Sequence, residues 1–435
     1  MKNKFTLALA ALAISGAANA QTWEHDTVIT GTGYMTNVYY SLENGTAGTA
    51  AADNWHLGLS ASRFSEAIIT NSADKSVRIF ELASDTADYG DNLTTALSTA
   101  ITAHPMSLYN SNINWSKGAF NQGTAPYGWA TYDGGTHWLV GTKIFGLITG
   151  TDTLQAFIKE KQTTPAGASP VYVIKTAKID GTNAQTYTIN ASASAGRNFT
   201  YMNILTGATL EREPLSADWD FLFTNYNDAA VVFQNTQYKV FGILNNDGVE
   251  VAKVDTVDTE FDNLDYTTYT YDTSITSIGR AWKASGQNGT VVEDSLTYFI
   301  KVNNGDVWQI VFTAHNSGTA ATDPGLAAFK KRKVFAAPVD TGTSVKNINN
   351  NIGMLTVAPN PAGNIANIVL DAKANLGAIT VSITDINGRT VQSFTKNINA
   401  GFQQLPINLN GLATGMYIIR LNGASINTAT KLIKE

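Results

Sequence analysis

Short segments in which apolar and polar residues alternate run through most of the chain. In Ile379–Asp385, the side chains of Ile379, Val381 and Ile383 fall on one face, and Thr and Ser residues fall on the other. This period of two is typical of a half-buried strand. Five segments at regular spacing complete a similar set: Ile365–Leu370, Thr390–Phe394, Gln404–Leu409, Gly415–Leu421 and Ile426–Ile433. The pattern predicts a small Ig-like antiparallel β-sandwich over residues 353–435.

The larger region before it, residues 21–340, also has mainly strand patterns. Asn304-Gly305 and Asp180-Gly181 each separate two apolar segments, and both pairs tolerate the positive φ angles of a tight hairpin turn. One helix is expected after Asp91 or Asn92, because either residue can cap it and Leu93, Leu97, Ala100 and Ile101 share one face. The chain is therefore predicted to be all-β, with an antiparallel body.

Two parts of this body resemble each other. Val38–Gly45 followed by Asp53–Leu59, and Phe199–Gly207 followed by Ala217–Phe223, both read as a Tyr-bearing strand, a Gly turn and a Trp strand. Two similar halves are expected, at 21–195 and 196–340. Chance likeness between two hairpins remains the alternative. A turn-rich polar linker is expected at 341–352.

The first 20 residues have the three regions of a secretory signal peptide. Lys2 and Lys4 precede the apolar run Phe5–Ile14, and Ala18-Asn19-Ala20 offers small residues for cleavage. We expect export through the Sec machinery. No later segment is long and apolar enough to predict a membrane-spanning helix in the mature protein.

Charge separates the C-terminal segment from the body. Residues 353–435 contain six Lys/Arg and three Asp/Glu, whereas the whole chain has a formal net charge of −6. The remainder of the mature chain is therefore strongly acidic. Nucleic acid is not an expected partner, because phosphate binding needs a basic face. The chain has no cysteine, so a disulfide scaffold, a thiolate metal site and a cysteine nucleophile are excluded.

The C-terminal segment resembles the type A sorting domain of cargo secreted by the type IX system of Bacteroidota. Four motifs carry the resemblance: Val357-Ala-Pro-Asn-Pro361, Asp385-Ile-Asn-Gly-Arg389, Leu412-Ala-Thr-Gly-Met-Tyr-Ile-Ile-Arg-Leu421 and Lys431-Leu-Ile-Lys-Glu435. The motif residues singled out are Pro359, Asn360, Pro361, Asn387, Gly388, Gly415, Tyr417, Lys431 and Lys434. The resemblance implies passage through the periplasm, recognition by the type IX translocon and sortase, and release or attachment to the outer-membrane surface. An Ig-like module that binds or only stabilises is the alternative.

The body resembles the HmuY-like family of Bacteroidota surface proteins. The likeness rests on Asn198-Phe-Thr-Tyr201, Asp218-Trp-Asp-Phe-Leu-Phe-Thr-Asn-Tyr226 and the hairpin from Tyr298 to Phe312. It implies an all-β protein that holds haem between two axial His or Met side chains. The interval 227–297, where that family's ligands would lie, contains neither residue type. The comparable interval of the first half supplies the haem-ligand candidates His104, Met106 and His137.

Enzyme signatures are missing from the sequence. It has no Gly-x-Ser-x-Gly elbow, no His-Glu-x-x-His and no phosphate-binding Gly loop. We therefore expect a non-enzymatic binding protein without a resident metal site, with haem as the candidate cofactor. A surface adhesin or glycan-binding protein is the alternative, for which Trp115, Trp129 and Trp138 offer an aromatic platform. A secreted hydrolase is the third reading.

Overall fold

The computed structural model describes residues 22–83, 85–150, 152–163, 169–255, 262, 264–286, 289–316, 324–337, 351–386, 388–423 and 426–435. The predicted signal peptide 1–20, most of the predicted linker and Asn387 lie outside the described residues.

The prediction of an all-β chain is confirmed. The body strands are β1 (Glu24–Ile29), β2 (Thr36–Ser41), β3 (Gly45–Ala51), β4 (Leu57–Ser60), β5 (Ile68–Thr70), β6 (Arg78–Glu81), β7 (Ala130–Asp133), β8 (Trp138–Gly141), β9 (Phe145–Thr149), β10 (Asp152–Gln162), β11 (Val171–Lys178), β12 (Gln185–Asn190), β13 (Phe199–Met202), β14 (Thr209–Leu210), β15 (Phe221–Phe233), β16 (Thr236–Asn245), β17 (Glu250–Asp255), β18 (Lys283–Gly286), β19 (Gly289–Val292), β20 (Leu296–Lys301), β21 (Val307–His315) and β22 (Leu326–Phe335). The named strand pairs are antiparallel.

The predicted helix is confirmed as α1 (Thr94–Ala103), the single α-helix of the described ranges. The side chain of Asn92 accepts a hydrogen bond from Thr94 N at 3.1 Å, so Asn92 satisfies one of the free N–H groups at the helix start. Leu93 and Leu97 are buried on the predicted face. Short 3₁₀ turns cover Thr32–Tyr34, Thr86–Asp88, Ala119–Gln122, Ala191–Ser194, Ser216–Asp218 and Tyr266–Thr268.

Both predicted hairpins form. Strands β20 and β21 pair around Gly305, and β11 and β12 pair around Gly181. The φ angles of these glycines are 90° and 88°, a region that glycine enters without the steric cost that other residues meet.

The repeated segments occupy equivalent places in two four-stranded sheets. One sheet has the order β16-β15-β2-β3, and the other has the order β5-β4-β13-β14. The two orders correspond strand by strand, so that β15 matches β4 and β2 matches β13. The Tyr-bearing strand of each repeat therefore pairs with the Trp-following strand of the other repeat: β2 with β15, and β13 with β4. The two proposed halves thus exchange strands, and the position 195/196 divides the sequence repeats but not the sheets.

Further pairing also joins the ends of the body. Strand β1 pairs with β22 in the sheet β1-β22-β21-β20-β17, and the central sheet of the first repeat is β12-β11-β10-β8-β7, extended by β9 and β6. One large apolar core is formed by side chains of β1, β2, β15–β17 and β20–β22 and of the loops beside them. A second core is formed by side chains from the range 57–204.

The C-terminal segment forms the predicted sandwich. Its strands are β23 (Ile352–Ala358), β24 (Ile365–Ala372), β25 (Gly377–Asp385), β26 (Thr390–Ile398), β27 (Gly401–Asn408), β28 (Gly415–Gly423) and β29 (Ile426–Lys434). Sheets β23-β24-β27 and β26-β25-β28-β29 enclose one core, which includes Ile368, Val381 and Ile419. The alternating strand pattern predicted every strand of this unit except β23.

Candidate functional site

Two of the three haem-ligand candidates line one groove of the body. His104 ends α1, where its backbone N–H donates to Ala100 O at 2.9 Å, and Met106 follows two residues later. The chain then returns to β6, since Leu108 N donates to Ile79 O at 3.0 Å. Both candidate side chains are exposed. The groove they line encloses about 1010 Å³, near the upper end of the roughly 300–1,000 Å³ typical of small-molecule sites.

The walls of this groove are apolar and its rim is charged. Phe80 and Leu82 are almost fully buried and form part of the lining. At the rim, Lys143 Nζ lies 2.8 Å from Glu81 Oε1, and Thr124 N donates to Glu81 Oε2 at 2.6 Å. Partial burial raises the pKa of Glu81, but the hydrogen bonds from Lys143 and Thr124 outweigh that effect and hold it below its usual value. Glu81 is therefore an ionised partner of Lys143 at neutral pH.

His137 lies apart from the lining of the groove. It occupies the turn between β7 and β8 with a φ angle of 61°, and its Nδ1 forms a hydrogen bond of 2.6 Å with the hydroxyl of Tyr132. The structure thus brings His104 and Met106 together and places His137 elsewhere. Among the described residues, the lining holds no further His or Met. The groove consequently holds the two candidate ligand side chains on one segment, and not as an opposed pair.

A second site, which the sequence did not predict, lies where the two exchanged sheets meet. We call it the interface cavity. It encloses about 80 Å³, enough for several water molecules at roughly 10–15 Å³ of interior space each. Trp55, Trp115, Tyr201 and Arg212 belong to its lining. The guanidinium carbon of Arg212 lies 5.2 Å from the ring centroid of Trp55 and 4.8 Å from that of Tyr201.

Several residues of the interface cavity carry buried polar atoms that have no hydrogen-bond partner among the described residues. These atoms are Trp55 Nε1, Thr70 Oγ1, Arg212 Nε and Asn227 Oδ1. A buried polar atom without a partner costs about 1–3 kcal/mol, so such atoms are uncommon in folded proteins.

Beside the cavity lies the buried carboxyl group of Glu213, whose pKa is shifted mainly by that burial. The carboxylate of Glu213 accepts hydrogen bonds from Asn198 N at 2.9 Å, Phe199 N at 3.3 Å and the Tyr201 hydroxyl at 3.2 Å. Burial nevertheless raises the pKa of Glu213 to about 7. Glu213 therefore bonds to the chain of β13, while the neighbouring Arg212 faces the aromatic rings.

The predicted aromatic platform is only partly formed. Trp115 lines the interface cavity, whereas Trp129 is fully buried in the core and Trp138 is half-buried in β8. The other members of the cavity come from positions between 37 and 275. No local motif joins them, and of the three clustered tryptophans only Trp115 lies at this site.

The motif residues of the C-terminal sandwich meet at its last strand. Pro359 and Pro361 flank Asn360, whose Nδ2 donates to Lys431 O at 2.9 Å and whose Oδ1 accepts from Ile433 N at 2.8 Å. Ala362 N donates to Ile433 O at 2.8 Å. The first and last motifs are therefore in direct contact in the fold, although about 70 residues separate them in the chain.

The remaining motif residues support turns and the strand end. Gly388 has a φ angle of 82° in the turn after β25, and Tyr417 in β28 donates its hydroxyl proton to Ala413 O at 2.8 Å. Gly415 begins β28. Lys434 is buried, and its amino group donates to Glu435 O, whereas Lys431 is exposed.

Comparison with known families decides what this sandwich is. Residues 356–435 match the family described as "Secretion system C-terminal sorting domain". They are a type IX sorting domain. The sorting domain marks the protein as cargo that the type IX system exports to the cell surface or outside the cell, and it implies contact with that secretion machinery.

A comparison with curated proteins finds no match. Among solved structures, the chain is similar to dimeric latent PorU from Porphyromonas gingivalis, with 10% identity and a TM-score of 0.17 over 94% of this chain and 34% of that one. The chain thus spans about a third of the length of that protein. Within the described residues, no helix has the length and apolarity needed to cross a membrane.

Proposed function

We propose that this type IX cargo is a non-enzymatic binding protein of HmuY-like type, and that its body captures haem at or beyond the cell surface. The supporting observation is the groove in which His104 and Met106 project from one segment beside apolar walls. Imidazole nitrogen and thioether sulfur are the axial ligands that proteins commonly offer to haem iron.

The groove suits a flat, largely apolar ligand with a charged edge. Phe80, Leu82 and Leu108 line it on the apolar side, and Lys143 lies at its rim. In this arrangement, haem would lie against the apolar wall with its iron bound by His104 or Met106. Lys143 would then face the carboxylates of the ligand, in competition with its present partner Glu81.

Titration of haemin into the mature, full-length protein tests this function. We expect a saturable complex with a shifted Soret band. Replacement of the axial ligand, His104→Ala or Met106→Ala, should weaken binding about tenfold or more, because an iron–ligand bond is lost. His137→Ala is the matched control, since it removes an exposed histidine that does not line the groove.

Two results would refute the proposal. One is the absence of saturable haemin binding by the folded protein. The other is an unchanged affinity when His104 and Met106 are replaced together, which would place any bound haemin outside the groove.

A further inference from the structure

The outer face of the sheet β26-β25-β28-β29 in the sorting domain has a polar part and an apolar part. Side chains of each strand alternate between the core and this face. The outward positions of β25 hold only small hydroxyl side chains: Thr380, Ser382 and Thr384. The outward positions at the start of the neighbouring strand β28 hold larger side chains: Met416, Ile418 and Arg420.

Strand pairing gathers apolar outward residues at one end of this sheet. Met416 of β28 is paired with Ile433 of β29, and Ile418 is paired with Lys431. Directly paired residues have Cβ atoms about 4.5–5.5 Å apart, so their side chains form one continuous surface. We call Met416, Ile418 and Ile433 the corner patch.

The corner patch is open to solvent although its side chains are apolar. Met416 is 46% exposed and Ile433 is 36% exposed. Ile386, which follows β25 at the same end of the sheet, is 69% exposed. A single exposed apolar side chain is ordinary in a folded protein. Several neighbouring ones with polar residues around them are typical of an interaction surface.

Two cations border the corner patch. Lys431 lies opposite Ile418, and Arg420 is the next outward residue of β28. Both cations are exposed, and within the described part of the sorting domain neither forms an ion pair, whereas Arg389 pairs with Asp385 at 3.1 Å. A surface of this kind fits a partner that presents an apolar area bordered by carboxylates.

A second copy of this chain does not fit the surface well. A twofold contact between two corner patches would bring Arg420 and Lys431 of both copies together, and like charges repel. The sorting domain itself points to another partner, because it implies contact with the type IX secretion machinery. The corner patch lies within the matched range 356–435, in the motif segments 412–421 and 431–435.

We propose that the corner patch, together with Arg420 and Lys431, is the surface by which the sorting domain binds the secretion machinery. The machinery presents to it an apolar area bordered by Asp or Glu side chains. Inward motif residues such as Tyr417 then serve the fold, and the outward residues of the same strands serve recognition. This binding concerns export and does not depend on whether the body binds haem.

Export of the full-length chain by a Bacteroidota host with a type IX system tests the role of the corner patch. Met416→Ser combined with Ile433→Ser should lower the exported fraction about fivefold or more, because both central apolar contacts are lost. Ile365→Ser combined with Phe402→Ser is the matched control. It removes two exposed apolar side chains from the other sheet of the sandwich, and it should leave export unchanged.

Charge reversal tests the cations separately. Lys431→Glu should lower export, because it sets a carboxylate against the carboxylates of the partner. Lys373→Glu reverses an exposed lysine that follows β24 and should not change export. Thermal unfolding of each purified full-length variant, followed by circular dichroism, should match that of the unchanged protein, since every substituted side chain is exposed.

A photo-reactive amino acid in place of Met416 identifies what the corner patch touches during export. We expect covalent adducts with a component of the secretion machinery, and none when the same amino acid replaces Phe402. Adducts formed only with a second copy of the chain, or only with its own body, overturn the proposal. Unchanged export of the Met416 and Ile433 double variant overturns it as well, and so does an equal loss of export in the Ile365 and Phe402 control.

Discussion

The ring of Tyr201 packs edge-on against Trp55, with 4.9 Å between the ring centroids. Tyr39 packs on Trp219 in the same geometry at 5.1 Å. Each pair joins the tyrosine of one sequence repeat to the tryptophan of the other. The two repeats thus share one interface made of two equivalent contacts, and the cavity with its unpartnered polar atoms lies at this interface.

Strand exchange makes the folding of each repeat depend on the other. A fragment of residues 196–337 loses the partners of β13, β15 and β22, namely β4, β2 and β1. We expect it to lack a cooperative thermal transition, because unpaired strands leave backbone groups and apolar faces exposed. Mixing it with residues 22–195 should restore the transition seen by circular dichroism. A cooperative transition of the isolated fragment would contradict the exchange.

The tryptophan of each repeat anchors this interface. Trp219 is almost fully buried, so Trp219→Ala should lower the free energy of unfolding by about 3–5 kcal/mol. Trp138→Ala is the matched control, since Trp138 is only half-buried in β8, and its cost should be clearly smaller. Denaturant unfolding of both variants gives the comparison. Equal costs would mean that the interface contacts contribute no more than ordinary surface packing.

Local signals in the sequence predicted the local structure. The hairpins at Gly181 and Gly305 and the helix after Asn92 depend on turn and cap residues that act over a few positions. The pairing of β1 with β22 joins residues about 300 positions apart. Neither segment carries a sequence pattern that identifies the strand with which it pairs. The interface cavity follows from such long-range pairing, so its residues had no motif to reveal them.

The candidate ligands also differ in whether they are neighbours in the sequence. His104 and Met106 lie two residues apart, so the sequence already kept them close. His137 came from another segment, and only the fold could show that its turn lies outside the lining of the groove. The HmuY-like resemblance and the haem ligand remain predictions.

Stability should rise as the pH falls from about 6.5 towards 5, because two buried carboxyl groups bind protons more tightly in the folded state. Burial raises the pKa of Glu213 from 4.5 to about 7 and that of Asp220 from 3.8 to about 6. An acid with a raised folded pKa favours folding below that pKa and opposes it above. The slope should be on the order of 1 kcal/mol per pH unit where one such group titrates.

His56 acts in the opposite direction. Burial, assisted by the charge of Lys75, lowers its pKa from 6.5 to about 4, so its contribution is lost as the pH falls between those values. Above about pH 6.5, Lys161 and Lys283 oppose the carboxyl groups, since burial lowers their pKa values from 10.5 to about 7 and about 8. Urea unfolding at a series of pH values measures how stability depends on pH.

Glu213→Gln should lower stability at every pH, since its amide faces backbone N–H groups. It should also flatten the dependence of stability on pH between about pH 5 and 7. An unchanged slope would contradict the assignment.

Asn360 should control the order of the last strand of the sorting domain. Asn360→Ala removes the bonds to Lys431 O and Ile433 N, which together contribute about 1–2 kcal/mol. We expect faster amide hydrogen exchange at Ile433 and reduced export. Asn364→Ala is the matched control, an exposed asparagine of the same loop. Equal exchange rates at Ile433 in the two variants would show that the Asn360 contact does not hold the strand.

The absorption spectrum of haemin mixed in equal amounts with the mature protein tests the proposed function most directly. We expect a shifted Soret band that persists in His137→Ala and disappears when His104 and Met106 are both replaced by alanine. Loss of the band in His137→Ala, or its persistence in the double variant, would contradict the assignment of the groove as the haem site.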